Sequence, residues 1–72
     1  MNQIAHIRLQ VLKIPQWKLA EITNTTQATV SRWETGELHP DRQQMDAIRH
    51  TAFERGIEWD DRWFFEIPNQ VA

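Results

Sequence analysis

The stretch from Ala20 to Trp33 reads A-E-I-T-N-T-T-Q-A-T-V-S-R-W and carries the strongest structural signal in the chain. Apolar residues recur with helical spacing on either side of its centre, at Leu19, Ala20 and Ile22 before it and at Val30 and Trp33 after it. At the centre, Asn24 tolerates the left-handed backbone of a sharp helix exit, and Thr25 or Thr26 can cap the next helix. The stretch predicts two short helices, at about 16–23 and 27–34, joined by a tight turn.

A helix is also predicted upstream of this pair, over about 3–13. Its apolar stripe has helical spacing and consists of Ile4, Ile7, Val11 and Leu12. Pro15 ends this helix, because a proline disfavours the α conformation at the residue before it, here Ile14.

A longer helix is predicted downstream. It starts at Pro40-Asp41, since proline suits the first turn of a helix, and it ends at Gly56. Its apolar stripe consists of Met45, Ile48, Ala52 and Phe53. The pattern as a whole predicts one compact all-α domain of four to five helices over residues 1–72, with a helical core at 1–56 and a distinct aromatic segment at 57–72.

The charge of the chain is small but unevenly distributed. A formal net charge of −2 argues against nucleic-acid binding, because phosphate neutralisation supplies most of the affinity for nucleic acids. Through Gln43, however, five cationic side chains accompany four acidic ones, whereas from Gln44 onward three arginines accompany six acids. A binding face at one end and an acidic remainder at the other would reconcile the total charge with DNA binding, provided that the acids point away from the DNA.

The composition also indicates a cellular location. The chain has no cysteine, which excludes disulfides and thiolate zinc sites and favours an intracellular protein. No apolar run approaches membrane-spanning length, and Met1-Asn2-Gln3 does not begin a signal peptide. We therefore expect a cytoplasmic protein that does not contact membranes.

Enzymatic function is not indicated. The spacing of His6, His39 and His50 is not that of metal ligands, and the adjacent Asp60 and Asp61 would face different ways on a helical turn. We find no nucleophile–base pair, no Gly-rich phosphate loop and no core large enough for a pocket. No catalytic residue, metal, cofactor or small-molecule ligand is expected.

The segment from Pro15 to Gly36 resembles the helix-turn-helix of the Cro/C1-type, or lambda-repressor-like, transcriptional regulators. In that family the segment commonly reads S-Q-x-x-L-A-x-x-x-G-V-S-x-x-x-V-S-x-W-E-x-G. Nine positions of this chain agree with it: Gln16, Leu19, Ala20, Thr26, Val30, Ser31, Trp33, Glu34 and Gly36.

The segment also departs from the family pattern. Pro15 and Asn24 replace a capping residue and a turn glycine, and both are physically suited to those places. Thr23 and Thr25 stand where the family usually has apolar residues, which predicts an under-packed turn. The separation between Arg8 and Gln16 is one residue longer than usual in the family.

The resemblance implies a lambda-repressor-like fold and a homodimer that binds an inverted repeat of double-stranded DNA, with one recognition helix per half-site. Base contacts are then expected on the exposed face of that helix, at Gln27, Ala28, Ser31 and Arg32. Contacts to the DNA backbone are expected from Gln16, Trp17, Lys18, Thr26, Thr29, His39 and Arg42. By the same analogy, Gln16 also buttresses Gln27. Structural roles fall to Arg8, Ala20, Asn24, Val30, Trp33 and Glu34.

Two of these residues lead to a separate hypothesis. The family often joins its first helix to the end of the recognition helix by an Arg–Glu pair, and Arg8 and Glu34 stand at corresponding places. A mostly buried pair would orient the recognition helix, whereas the alternative is two solvated surface charges.

The C-terminal stretch I-E-W-D-D-R-W-F-F-E-I-P is unusually aromatic for its length. Its apolar residues either all close the bottom of the domain, or some pack inward while others meet a second copy, since aromatics are enriched at the cores of interfaces. We favour the second account and assign a dimer surface to Trp59, Trp63, Phe64, Phe65 and Ile67.

A second function stays open at this stage. The chain could be a protein-interaction module, antitoxin-like, that keeps the helix-turn-helix fold and holds another protein through its acidic, aromatic segment. The low net charge favours this alternative. The main prediction is a repressor that blocks a promoter sterically, its own included, as small phage, prophage and operon-local regulators do.

Overall fold

The computed structural model of the chain describes residues 2–68. Within this range the backbone forms helices and turns and no strand, which confirms the predicted all-α class. The elements are α1 (Gln3–His6), which continues as a π-helical segment (Ile7–Leu12), then α2 (Gln16–Ile22), α3 (Gln27–Thr35), α4 (Arg42–Glu54) and a 3₁₀ turn (Asp61–Phe64). The last four residues of the predicted C-terminal segment, 69–72, lie outside the described range.

The turn between α2 and α3 has the predicted local chemistry. Asn24 adopts the left-handed conformation with φ 54°. Thr26 is the N-cap of α3, and its hydroxyl accepts a hydrogen bond from the Thr29 N–H at 3.1 Å. Gly36 ends α3 with φ 85°, where a side chain on any other residue would be strained.

Thr23, one of the two threonines for which an under-packed turn was predicted, has a hydrogen-bond partner in the structure. It is buried, and its hydroxyl donates to the Leu19 carbonyl oxygen at 2.8 Å. A buried hydroxyl with a partner avoids the cost of an unsatisfied polar group. The chain thus accommodates a buried threonine in the turn between α2 and α3.

The start of α4 carries a reciprocal cap that the sequence analysis did not identify. The Asp41 carboxylate accepts from the Gln44 N–H, and the Gln44 side chain accepts from the Asp41 N–H, both at 2.8 Å. This capping box explains why the helix begins at Arg42 rather than at Pro40.

The first helix differs from the prediction in its second half, where hydrogen bonds run from residue i to i+5. The Lys13 N–H bonds to the Arg8 carbonyl oxygen, and Lys13 leaves the segment with a left-handed φ of 56°. A π-helical turn holds one residue more than an α-helical turn. It therefore accommodates the long separation between Arg8 and Gln16 that the sequence shows.

A single apolar core joins all of these elements, with Trp33 at 1% exposure as its largest fully buried side chain. The core comprises Ile4, Ile7, Leu12, Ile14, Leu19, Ala20, Val30, Trp33, Ile48, Ala52 and Phe64. Trp59, Trp63 and Met45 are partly buried and pack against it. In residues 2–68, no helix has the length and hydrophobicity to cross a membrane.

The predicted burial of two phenylalanines is wrong: one is exposed where it was expected to be buried, and the other is buried where it was expected to be exposed. Phe53, predicted in the apolar stripe of α4, is 79% exposed, because it follows Ala52 by one residue and so leaves the face that Ile48 and Ala52 share. Phe64, predicted at a dimer surface, is 7% exposed and belongs to the core. The 3₁₀ turn directs Phe64 inward and leaves the next residue, Phe65, outside.

Candidate nucleic-acid interface

The helices α2 and α3 are held by buried side chains on their facing surfaces. Leu19 and Ala20 on α2 and Val30 and Trp33 on α3 all belong to the core. These are four of the positions that the sequence placed on the inner faces. The inner face of α3 is therefore packed against the core, and its opposite face is exposed to solvent.

That outer face of α3 consists of the four residues predicted to contact bases: Gln27, Ala28, Ser31 and Arg32 are all exposed. Their spacing of i, i+1, i+4 and i+5 places them on one side of the helix. Within residues 2–68, Arg32 makes no salt bridge, so its guanidinium is available to an external acceptor. The face offers amide, hydroxyl, methyl and guanidinium groups within two turns.

An ion pair ties the end of α3 to the π-helical segment. Arg8 Nε lies 2.6 Å from Glu34 Oε2, and Arg8 Nη2 lies 3.1 Å from Glu34 Oε1. Each side chain is 13% exposed, and Arg8 Nη1 also donates to the Ile14 carbonyl oxygen at 3.1 Å. The predicted pair is therefore present in its mostly buried, bidentate form, the strong geometry for arginine and carboxylate.

Gln16 extends this pair to the start of α3. Its Nε2 donates to Glu34 Oε1 at 3.3 Å, and its Oε1 accepts from Gln27 Nε2 at 3.4 Å. The resemblance predicted the contact between the two glutamines, whereas the contact with Glu34 was not predicted. We call the four residues Arg8, Glu34, Gln16 and Gln27 the orienting network, because they connect both ends of α3 to the neighbouring elements.

The side chains predicted to contact the DNA backbone differ in whether they already bond to other side chains of the protein. Lys18 forms an exposed ion pair with Glu21 at 2.6 Å, and its ammonium lies 6.0 Å from the ring centroid of Trp17, which is 57% exposed. The hydroxyls of Thr26 and Thr29 bond to each other at 3.0 Å. His39 and Arg42 are exposed after α3, in the loop to α4 and at the start of α4.

Two of the three arginines that follow Gln44 are engaged differently from Arg32. Arg49 bonds to Asp46 and, through Nε at 2.7 Å, to Asp61; Arg62 pairs with Asp60 at 2.8 Å. The hydrogen bond from Arg49, together with one from the Trp59 indole N–H, lowers the pKa of Asp61 below its ordinary value. The positive charges of Arg49 and Arg62 are thus paired with nearby acids, whereas within residues 2–68 that of Arg32 is not.

Asn2 is a structural residue that the sequence analysis missed. Its side-chain oxygen caps α1 by accepting from the Ala5 N–H at 2.9 Å, and its amide donates to the Trp33 carbonyl oxygen. An asparagine just before a helix signals the first contact. No sequence pattern signals the second, which joins positions 31 residues apart.

The C-terminal aromatic residues divide between the inside and the outside. Trp59 and Trp63 stack edge to face at 5.1 Å between ring centroids, and Trp63 also meets His6 at 5.9 Å. His6 is buried, and its Nδ1 has no hydrogen-bond partner in the described part of the chain. Phe65 at 74% and Ile67 at 38% exposure stay available to a partner.

Comparison of the chain with protein-family models, with characterised proteins and with solved structures gave no match. Among residues 2–68, no three histidine or acidic side chains come together in a way that could hold a metal ion. A functional conclusion therefore depends on the side chains of α2, α3 and their surroundings.

Proposed function

We propose that this protein is a sequence-specific DNA-binding transcriptional regulator, a homodimeric repressor that inserts α3 into the major groove of each half of a short inverted repeat. The observation that carries the proposal is the outer face of α3, exposed and polar, on a helix oriented by the Arg8–Glu34–Gln16–Gln27 network. An α-helix with its side chains is about 10–12 Å wide, and the major groove is about 12 Å wide.

The hydrogen bonds of Gln27 suit it to adenine. One amide N–H of Gln27 donates to Gln16 Oε1. The second N–H and the carbonyl oxygen are left to pair with adenine N7 and the adenine N6 amino group. Because Gln16 holds the amide in place, less side-chain entropy is lost when the base contact forms.

Arg32 and Ala28 complete the proposed base contacts. Arg32 lies five residues after Gln27, about 7.5 Å farther along the helix axis, which is about two base-pair steps. Its unpaired guanidinium suits guanine O6 and N7, or a phosphate if the helix tilts. The Ala28 methyl suits the methyl group of thymine.

Selection from random double-stranded oligonucleotides tests the proposal. We expect the protein to enrich an inverted repeat, and we expect Gln27→Ala and Arg32→Ala each to weaken binding to it by about 5- to 150-fold, the value of one bidentate contact. The matched controls are Gln10→Ala and Arg62→Ala, which remove the same side chains from exposed positions away from α3. No enriched sequence, or equal losses in variants and controls, would contradict the proposed function.

Salt dependence tests the electrostatic part of the same proposal. A dimer that places Arg32 or Lys18 together with Arg42 on phosphates neutralises about four charges, so log K should fall with log[salt] with a slope of about −4. Arg42→Ala should reduce the steepness by about one unit per protomer without changing the preferred sequence.

A protein-interaction module is the second candidate function, and the exposed apolar side chains Phe65 and Ile67 favour it. Such a module would bind DNA weakly and without sequence preference. The selection experiment therefore separates the two functions.

A further inference from the structure

Two hollows adjoin each other on the surface of the C-terminal segment. The larger, of about 640 Å³, is lined by Arg49, Glu58, Trp59, Asp60, Asp61 and Trp63. The smaller, of about 300 Å³, is lined by Asp60, Arg62, Trp63, Glu66 and Pro68. Because the two hollows share Asp60 and Trp63, they lie along one strip of surface, which we call the acidic trough.

Trp59 and Trp63 provide the aromatic part of the acidic trough. Both are partly buried against the core, with 5.1 Å between their ring centroids and 82° between their ring planes. The indole N–H of Trp59 also donates to Asp61 at 2.7 Å. A tryptophan ring attracts a nearby cation more strongly than the other aromatic side chains do. Because packing already fixes both rings, little further ordering is needed when a cationic group reaches them.

The acidic trough keeps free negative charge, although two arginines line it. Its two aspartates are paired with Arg49 and Arg62. Among residues 2–68, neither Glu58 nor Glu66 forms a salt bridge, and both are exposed. Glu58 lines the larger hollow and Glu66 lines the smaller one. Each hollow thus combines a free carboxylate with a tryptophan ring, and both groups attract an ammonium or guanidinium group.

We propose that the acidic trough is a docking site for a basic segment of another protein, with one lysine or arginine side chain entering each hollow. Charge complementarity selects this occupant. Four carboxylates and two guanidinium groups line the trough, so it attracts a cationic chain and repels a nucleic acid. The hollows lie side by side and are open to solvent, which suits an extended segment better than a small amine enclosed in a pocket.

This docking site goes beyond the DNA binding proposed above and does not depend on it, because no residue of α3 lines the acidic trough. The contacts it offers are exposed to solvent, so salt screens them and each contributes little. We therefore expect a short basic peptide to bind weakly, with a dissociation constant of about 0.1–1 mM that rises with salt concentration.

Nuclear magnetic resonance titration of the full chain with a tetraarginine peptide, capped at both ends, tests the docking site. We expect the indole N–H resonances of Trp59 and Trp63 to shift in a saturable way, while that of the exposed Trp17 stays in place. Glu58→Gln and Glu66→Gln should each raise the dissociation constant by about two- to fivefold, the value of one exposed ion pair.

Glu37→Gln is the matched control. It removes an exposed glutamate that does not line the acidic trough, so it should leave the dissociation constant unchanged. All three glutamates are exposed, and none of the substitutions should lower the melting temperature.

Three results would overturn the docking site: no saturable shift up to about 5 mM peptide, equal effects of the three glutamine variants, or shifts of Trp17 as large as those of Trp59 and Trp63. Spermine, a small amine of the same charge as the peptide, should bind more weakly. If it bound as tightly as the peptide, the assignment to a protein segment would be overturned. Arg32→Ala should leave peptide binding unchanged, so the docking site and the proposed DNA binding can fail separately.

Discussion

At the scale of single residues, Glu34 does most to orient α3. Its carboxylate receives hydrogen bonds from Arg8 and from Gln16, and it directly follows Trp33, the largest fully buried side chain. A carboxylate at 13% exposure is largely removed from water, so its partners compensate for lost hydration. The same contacts position Gln27 through Gln16, which links the stability of the fold to the proposed base contact.

Replacing Glu34 by Gln should therefore destabilise the protein strongly. The guanidinium of Arg8 would remain mostly buried without an opposite charge, which costs about 3–5 kcal/mol, and the melting temperature of so small a domain should fall by more than about 10 °C. Thermal unfolding followed by circular dichroism measures the change. Glu21→Gln is the control, because its pair with Lys18 is exposed and contributes less than about 1 kcal/mol. Equal shifts in the two variants would contradict this role of Glu34.

At the scale of elements, the π-helical segment Ile7–Leu12 determines where Arg8 and Ile14 lie. Arg8 accepts the Lys13 and Ile14 N–H groups on its carbonyl oxygen and reaches Glu34 with its side chain. The π-helical turn thus contains one residue more than an α-helical turn would, and Arg8 still forms its ion pair with Glu34.

Deleting Gln10 should be tolerated for this reason. Gln10 is exposed within the wide turn, and its removal leaves the number of residues that an α-helical turn needs, so the melting temperature should stay the same or rise. Deleting the exposed His50 from α4 is the matched control. It rotates Ala52 out of the core by about 100° and should cost several kcal/mol. A loss of stability for the Gln10 deletion as large as for the His50 deletion would show that the π-helical turn is itself required.

The 3₁₀ turn is attached to α4 through one carboxylate. Asp61 accepts from Arg49 Nε and from the Trp59 indole N–H, both at 2.7 Å. These hydrogen bonds stabilise the charged form and lower the pKa of Asp61 in the folded state. A lowered pKa means that the contribution is fully present above the ordinary aspartate pKa of 3.8 and is lost as the pH falls through the folded value.

The C-terminal aromatic residues should therefore loosen in acid before the core unfolds. Following the indole N–H resonance of Trp59 from about pH 6 to pH 2 should show its hydrogen bond lost only below the ordinary aspartate pKa. In Asp61→Asn, the resonance should lose this titration step. A resonance that shifts near neutral pH instead would assign the transition to a group other than Asp61.

At the scale of the whole molecule, charge is divided unevenly along the chain. Arg32 and the polar face of α3 lie in the part of the chain with a small excess of cations, and the acids that follow Gln44 are concentrated in the other part. Asp46, Asp60 and Asp61 are paired with arginines there, which limits their repulsion of a polyanion. A net charge of −2 is thus compatible with DNA binding through one face.

The distance between the two half-sites should therefore affect the affinity for DNA. If two copies bind as a rigid pair, five base pairs inserted between half-sites turn the second one to the opposite side of the duplex, and affinity should fall to that of a single copy. Gel-shift titration against the unmodified repeat measures the loss, with base substitutions in a spacer of unchanged length as the control. Equal affinity for both spacings would indicate independent binding of single copies.

The sequence by itself determined the helices, most of their ends and the outer face of α3. These features depend on residues within a turn or two of each other: Asn24 in the left-handed conformation, Thr26 as a cap, Gly36 as a stop, and the helical spacing of Val30 and Trp33. The family resemblance added the pairing of Arg8 with Glu34.

Only the tertiary structure decided the contacts between residues far apart in the chain. Gln16 bonds to both Glu34 and Gln27, Asn2 bonds to the end of α3, and Phe64 enters the core while Phe65 and Phe53 stay outside. Periodicity says which residues share a face, but the angle and depth at which elements pack decide which part of that face is covered. Those angles result from the fit of all core side chains together, and no local pattern of residues contains that information.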